Sequence, residues 1–471
     1  MSSNKWLLLI VAILSHSNNT FAAAFQLIEQ SGKGAGNAHA GEAARAEDAS
    51  TIFFNPAGMT RLSGHQSSVA LHFIIPKFYF EGTSAFNIDN PTIAATQLNQ
   101  VPLDQGVGNS GGGVNAIVPN LYYVHDYSKD FKFGIGLNAP FGLATEYDKQ
   151  WAGRYSAIKS ELLTININPS VAYRVNQQFS LGAGLNFMYA TVELSNAVDY
   201  NLLYKLASFK NSQLPNLPLT PGNSSGDGIA KVRGDDWGFG FNLGLLWEPK
   251  QGTRFGIAYR SKVSLDVSGD ASFSNPSDPQ SQQAVEILRG AAGVFKDTDA
   301  QSSIDLPETI ALNFFHELSP NLTILGGINW TRWDRFENLI VEFDNPAQVD
   351  SITRLNYENS TFSSLGLNYK YSPVWTFKTG IAYDQSPVSD AQDRSPRIPD
   401  NDRFWLALGA SYSKNKYLSI DVGYAHLFIN DIDIDSSDAY SAGAHTSGYH
   451  RLSGKYKANV HVFDVQLNWR F

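Results

Sequence analysis

A chain of 471 residues has room for two or three soluble domains or for one closed barrel. A formal net charge of -9 and a pI near 5.6 leave a nucleic-acid partner without electrostatic support. A mean hydropathy of -0.22 excludes a membrane protein built as a helical bundle but allows a transmembrane barrel, in which half of every strand faces a polar lumen. In chain order, Lys5, the apolar run Trp6 to Leu14, a polar patch and then Ala22, Ala23 and Ala24 have the layout of a secretory signal peptide over residues 1–22, with cleavage between Ala22 and Phe25. No other stretch has the roughly 18 consecutive apolar residues of a transmembrane helix. The absence of Cys fits an envelope protein without disulfides.

Residues 23–65 read as a compact plug, or hatch. An extended run from Phe25 is followed by a Gly-rich turn at Gly32, Gly34 and Gly36, and then by an Ala-rich stretch with Asn37 placed to cap a helix. The turn signal Asn55-Pro56-Ala57-Gly58 ends it. This is the only obviously helical piece of the chain.

From residue 66 to 471 the pattern has period two. Trp237, Phe239, Phe241, Leu243, Leu245 and Trp247 alternate with Gly238, Gly240, Asn242 and Gly244, and the last strand sets Phe463, Val465, Leu467, Trp469 and Phe471 against Asp464, Gln466, Asn468 and Arg470. A soluble sandwich also alternates, but its polar face would carry Lys and Glu for bulk water. Here that face is Gly, Ser, Asn and Ala, and aromatics mark the strand ends, as on a lipid-facing band around a confined interior.

The pattern predicts fourteen strands, near 66–80, 117–125, 131–140, 162–175, 178–192, 236–248, 252–268, 302–317, 321–332, 356–371, 374–384, 402–413, 416–428 and 455–471. Short turns alternate with long loops at 81–116, 141–161, 193–235, 269–301, 333–355, 385–401 and 429–454. That alternation places both termini in the periplasm and the long loops outside. The fold class is therefore all-β: a 14-stranded antiparallel transmembrane barrel whose lumen is plugged by a small, partly helical N-terminal hatch. A ring of that size is wider than its own side chains fill, so the hatch decides what passes.

Several apparent motifs carry no chemistry. Gly108-Asn109-Ser110-Gly111-Gly112 has nucleophile-elbow spacing but lies in a Gly-rich loop without the required strand and helix. Gly32, Gly34 and Gly36 are not spaced as a dinucleotide fingerprint, and Asp431, Asp433, Asp435 and Asp438 lack the Gly and Glu of a calcium loop. His39, His72, His316 and His426 have no metal-ligand spacing, and no Ser and His share a strand face at lipid level. No enzyme, metal or cofactor is expected.

FQLIEQSGKGAGNAHAGEAARAEDAS from Phe25, the triplet Asn55-Pro56-Ala57, FGLATEY from Phe141, DDWGFGFNLG from Asp235, WTFKTGIAYDQSPV from Trp375 and IPDNDRFWLALGASY from Ile398 resemble the FadL family of outer-membrane long-chain fatty acid transporters over essentially the whole mature chain. The resemblance implies passive uptake of long-chain fatty acids or similar hydrophobic compounds across the outer membrane of a Gram-negative bacterium. Cargo would be caught among the external loops, held in an apolar pocket touched by the N-terminus, and released sideways at a kink in the third strand. It also implies Phe471 as part of the signal read by the barrel assembly machinery, surroundings of outer-membrane lipid and lipopolysaccharide, and a monomer.

On that pattern Phe25, Gln26 and Leu27 would meet the ligand. Asn138-Ala139-Pro140-Phe141-Gly142 would form the portal, since Pro cannot donate to the ladder and Gly permits a sharp bend, with Pro169 at similar depth on the neighbouring strand. The family's basic residues at the top of the fifth strand are missing, for Thr191-Val192-Glu193-Leu194-Ser195-Asn196 stands there. A second basic position falls near Arg354 and Tyr357. Arg354, Arg260 and Lys378 read either as the cation for a carboxylate or as lumen and rim residues with acidic partners. Alkanes and aromatic hydrocarbons are therefore alternative cargo, ahead of a general porin or an outer-membrane lipid enzyme.

Overall fold

The computed structural model describes residues 24–88, 101–102, 110–439 and 448–471. The expected signal peptide, and Gly108 and Asn109 of the elbow-like motif, lie outside the described residues. Among those described, fourteen antiparallel strands close a ring. They are β1 (Gln66–Ile88), β2 (Ala116–Asp126), β3 in two pieces (Phe131–Asn138 and Gly142–Glu146), β4 (Lys159–Arg174), β5 (Phe179–Asp199), β6 (Asp227–Lys250) and β7 (Thr253–Arg260, continued by Val263–Phe273). There follow β8 (Thr298–Leu306 and Thr309–Ser319), β9 (Leu322–Thr331, continued by Asn338–Phe343), β10 (Ser351–Arg354 and Ser360–Lys370), β11 (Trp375–Asp384), β12 (Arg403–Ser413), β13 (Leu418–Ile429, continued by Ile432–Ala439) and β14 (Gly448–Arg470).

Closure is made by β1 on β14, in unbroken register from Gln66↔Arg470 to Ile88↔Gly448. The period-two pattern sorts the side chains as expected. Leu181, Leu185, Phe239, Phe241, Val465 and Leu467 face outward, exposed, while Asn166, Asn168, Asn186, Asn242 and Gln466 are buried in the lumen. Inward amides bond to one another laterally: Asn168 Nδ2 donates to Asn242 Oδ1 (2.9 Å) and Asn166 Nδ2 to Asn186 Oδ1 (3.1 Å).

Two expectations about the loops are corrected. The segments read as loops at 81–116, 193–235, 269–301 and 429–454 begin as continuations of strands, so that β1 alone has 23 residues and reaches roughly 75 Å, far beyond the bilayer. Once a strand leaves lipid its outer face is no longer obliged to be apolar, and the alternation fades although the ladder continues. The hatch is also not the only helical piece. External helices α4 (Tyr200–Lys210) and α5 (Pro279–Ala292) are longer than any helix in it. Each is capped by an aspartate, Leu202 N donating to Asp199 Oδ1 (2.9 Å) and Ser281 N to Asp278 Oδ2 (2.8 Å). Ala284, Val285 and Leu288 of α5 join Tyr200, Leu203 and Tyr204 of α4 in one buried cluster.

Inside the ring the hatch carries three single-turn helices, α1 (Gly32–Ala35), α2 (Glu42–Arg45) and α3 (Thr51–Phe54), and a 3-10 turn, Pro56–Arg61. Asn37 is not a helix cap. Ser31 caps the first helix through Gly34 N (3.3 Å), while Asn37 follows that helix and donates its amide to Asn368 Oδ1 (3.1 Å), before Ala38 and His39 turn the chain with left-handed φ of 53° each. Small residues let the plug seat against the wall: a Cβ on Gly256 would lie 1.9 Å from Ala43 O. Lys378 Nζ on β11 joins hatch to wall, donating to Lys33 O (2.9 Å) and to Asp421 Oδ1 (2.8 Å).

Candidate functional site

β3 breaks where the residues at Ala139 to Phe141 suggested. Its pairing with β4 runs from Phe131↔Tyr173 to Asn138↔Asn166 and resumes at Gly142↔Leu163, so between the last two of these pairs β3 has three residues where β4 has two. This is a one-residue bulge, bridged by the Thr164 hydroxyl, which donates to Phe141 O (2.6 Å) and accepts from Phe141 N (3.1 Å). On the other side the β2–β3 ladder ends at Leu121↔Leu137, leaving Ala116 to Asn120 of β2 without a β3 partner. The gap is closed above by the bridge Gly113↔Thr145 and by Glu146 N donating to Gly112 O (3.1 Å).

The hatch enters this gap as a strand. Gln26 bridges to Phe141, Leu27 N donates to Pro140 O (2.8 Å) and Gly142 N donates to Phe25 O (2.9 Å). Gln30 Nε2 donates to Ala139 O (2.8 Å), Asn120 Nδ2 to Glu29 O (3.0 Å) and the Tyr122 hydroxyl to Gln30 O (3.0 Å). Backbone groups that the kink orphans therefore find partners in the plug.

Two cavities meet here. An interior one of about 90 Å³ lies between the hatch and the wall and is lined by Gln26, Phe53, Arg260 and Phe362 among others. A smaller one, about 30 Å³, occupies the gap and reaches Ile117, which is 45% exposed on the outer face. Leu27 and Phe141 line both. Above them Phe25 packs edge-on against Trp333 (4.7 Å between ring centroids) and Phe336 (5.3 Å), and Tyr357 meets the same two rings at 5.9 and 5.7 Å. The aromatic cluster continues into a large apolar interior that includes Phe80, Trp151, Leu265, Ile432 and Tyr456.

The structure brings Phe25, Gln26, Leu27, Pro140, Phe141 and Gly142 together, with Asn138 and Ala139 at the edge of the gap. Tyr357 joins the aromatic cluster, but Arg354, only three residues away, is exposed on the outer loops and pairs through its backbone with Asn338. Pro169 is not level with Pro140. The β3–β4 register sets it opposite Ile135, in the regular part of β3, and the ladder it interrupts is the one with β5, between Ile167↔Phe187 and Ser170↔Gly184.

Asn55 is a cross-tie. Its Oδ1 accepts from Ala57 N (3.1 Å) in the turn before Pro56, and its Nδ2 donates to Ala43 O (2.7 Å) and to Leu245 O of β6 (3.0 Å). Phe471 is exposed beside Trp469, its amide donating to His65 O (2.9 Å). Of the candidate cations, Lys378 is paired with Asp421, and Arg260 donates to Asn186 Oδ1 and to Phe53 O (2.8 Å), with its guanidinium over the Phe53 ring.

Sequence reasoning missed Trp333 and Phe336, which looked like loop. Two large aromatics three apart in the charged stretch Arg332 to Glu337 were the available signal. It also missed Arg397, which lines a cavity of about 150 Å³ in the extracellular mouth together with His450, Phe273, Phe295 and Leu339, and donates to Ser160 Oγ (3.2 Å) and Asn196 Oδ1 (3.3 Å).

A barrel with a lipid-facing apolar band, plugged from its N-terminus and lined by apolar cavities, is an outer-membrane transporter of hydrophobic compounds rather than an enzyme. Residues 13–471 match the family model described as outer membrane protein transport protein (OMPP1/FadL/TodX). The chain belongs to that family, which places it in the Gram-negative outer membrane.

It is 34% identical over 470 residues to the long-chain fatty acid transport protein of Escherichia coli O6:H1, covering 98% of each chain, and 30% identical over 475 residues to outer membrane protein P1 of Haemophilus influenzae, again with 98% of each covered. Among solved structures it superposes on a Pseudomonas aeruginosa FadL homologue with a TM-score of 0.80 at 24% identity, covering 95% of this chain and 99% of that one. It superposes on the Pseudomonas putida toluene transporter TodX with a TM-score of 0.65 at 16% identity, covering 96% and 100%. At these identities the two structures speak for the fold alone.

Proposed function

We propose that the chain takes up long-chain fatty acids or similar hydrophobic compounds passively. Cargo enters the apolar interior from the external loops and leaves sideways through the gap beside β3, once the hatch segment Phe25 to Gln30 withdraws from it. The observation that carries this reading is that Leu27 and Phe141 line both the interior cavity and the gap, so one side chain of the plug and one of the kink stand between lumen and lipid. An apolar chain gains about 0.8 kcal/mol per buried CH₂, and cargo packing against Phe141, Trp333 and Phe336 would replace the contacts that Phe25 gives up. Withdrawal leaves Pro140 O, Ala139 O and Gly142 N without hatch partners, at a net cost of about 1 kcal/mol for each lost bond, a sum that bound cargo can offset.

Arg397, held by Ser160 and Asn196, puts a positive charge in the mouth cavity, which favours cargo with a carboxylate. Uncharged hydrocarbons are the second reading, favoured by the ring cluster of Phe25, Trp333, Phe336 and Tyr357.

The test uses the bridge Gln26↔Phe141. Antiparallel partners lie at a separation that a disulfide spans, and the chain has no Cys of its own to interfere. Gln26→Cys with Phe141→Cys should import radiolabelled oleate when reduced and lose that import on oxidation. Equal import in both states would remove the lateral route.

A further inference from the structure

The segment that fills the β3 gap carries one acid, and its environment is unusual for one. Glu29 is fully buried, and among the described residues no other residue donates a hydrogen bond to its carboxyl oxygens; only its own backbone amide is turned toward them. The charged and titratable groups facing it come from three strands: Asp464 of β14, His72 of β1 and Arg403 of β12. Two of these are engaged with each other, since His72 Nδ1 is hydrogen-bonded to Asp464 Oδ1. Arg403 is turned to Asp400, its NH2 donating to Oδ1 at 2.6 Å, with Asp384 at 3.7 Å. A carboxylate at Glu29 would have no donor but its own amide and would be repelled by the carboxylate of Asp464, whose second oxygen also has no partner among the described residues. A neutral acid in the same place carries no such penalty.

The backbone of Glu29 is nonetheless fixed by Asn120, and its neighbours Leu27 and Gln30 are the residues bonded to Pro140 and Ala139. An acid that resists ionisation is thus built into the strand that must leave for the gap to open.

We infer that Glu29 is a proton-linked positioning residue of the gate: the segment Phe25 to Gln30 seats on β3 with Glu29 as the neutral acid, and on leaving β3 it gives that proton up to water. This rests on the reading of that segment as the gate. Burial pushes the Glu29 carboxyl up to about 7 from its ordinary 4.5, with Asp464 acting in the same direction and the backbone, His72 and Arg403 against it. A group whose seated value is raised binds more protons seated than released, so its contribution to seating is complete below about pH 4.5 and is lost as the pH rises through 7. The segment is held more tightly in mild acid and released more readily above neutrality.

The test measures seating and not transport. Hydrogen exchange of the peptides containing the Leu27 and Gly142 amides is followed in the full-length mature protein in lipid nanodiscs at pH 5, 6.5 and 8, for the wild type and for Glu29→Gln. The wild-type rate divided by the Glu29→Gln rate cancels the chemical pH dependence of exchange. That ratio should be near one at pH 5 and rise at least about tenfold by pH 8. A ratio independent of pH overturns the proton link. Glu29→Met, which also lacks a titratable group, gives the same comparison if Glu29→Gln does not fold. Failure of the Gln26–Phe141 cross-link to block import would count against the gate itself, whereas a flat exchange ratio counts only against Glu29.

Discussion

Leu27 of the hatch donates its backbone amide to the carbonyl of Pro140 in the broken stretch of β3, 2.8 Å away, and so completes a ladder that the wall leaves open. The plug and the defect in the barrel are complementary parts of one structure. Anything that shifts the hatch changes the wall.

Asn55 holds the far end of the hatch through three hydrogen bonds, two of them to backbone carbonyls that would be left unpaired in Asn55→Ala. Local loosening by about 1–3 kcal/mol is expected, with the barrel itself intact. In planar bilayers the variant should give frequent ion-conducting openings where the wild type is nearly silent. A quiet Asn55→Ala channel would mean that the hatch does not depend on this tie.

Gly256 and Gly290 provide a matched pair. A Cβ at Gly256 would meet Ala43 O at 1.9 Å, and neither backbone can step aside without moving the plug. Gly256→Ala should therefore raise hatch proteolysis and conductance. A Cβ at Gly290, inside α5, meets nothing within 4 Å. Gly290→Ala should be neutral or stabilise by up to about 1 kcal/mol through helix propensity. Limited proteolysis of both variants beside the wild type separates the two outcomes.

Lys378 is buried in β11 with its ammonium on Asp421 and on the hatch carbonyl of Lys33. Lys378→Met would leave the buried carboxylate of Asp421 with only the Ser411 hydroxyl and the Asn468 amide as donors, at a cost of about 3 kcal/mol, because removing the cation of a buried pair leaves the anion's charge unpaired. Lys378→Met with Asp421→Asn removes both charges and should recover much of that loss. The temperature at which the folded band disappears in heat-modifiability gels should rank wild type first, the double variant second and Lys378→Met last. If the double variant falls below the single one, the pair is not the reason for the loss.

The architecture was legible where one rule governs many residues. A strand in lipid must send every second side chain outward, so Phe239, Leu243 and Leu467 announce themselves; above the bilayer the rule lapses, and the upper halves of β1, β5, β6 and β14 read as loop. Helices α4 and α5 were hidden because each buries its apolar stripe against the other and against the extended strands, at Phe273, Ala300 and Val341, inside Pro- and Ser-rich segments. The place of the break in β3 could be read from the run Asn138 to Gly142, where Pro140 offers the ladder no N–H. What fills the break could not, because nothing local in Phe25-Gln26-Leu27 says which strand it will join. Arg354 and Tyr357 are neighbours in sequence yet separate in space, since the chain turns at Asn356, with a left-handed φ of 44°, and sends one side chain inward and the other out.

Pro140 invites the conclusion that proline makes the gap, and the register argues otherwise. Between Asn138 and Gly142 β3 has three residues where β4 has two, so one residue is surplus whatever its identity. Pro140→Ala restores an N–H but leaves the surplus in place, and Pro140 O still accepts from Leu27 N through an atom that every residue possesses. Oleate import by Pro140→Ala should stay within about twofold of wild type, a change of under roughly 0.5 kcal/mol. A much larger loss would show that the closed ring of proline, and not the extra residue, keeps the wall apart. In that case the amide added at position 140 must have found a partner on β2 or β4, and hydrogen exchange of the peptide containing residue 140 would reveal it as new protection.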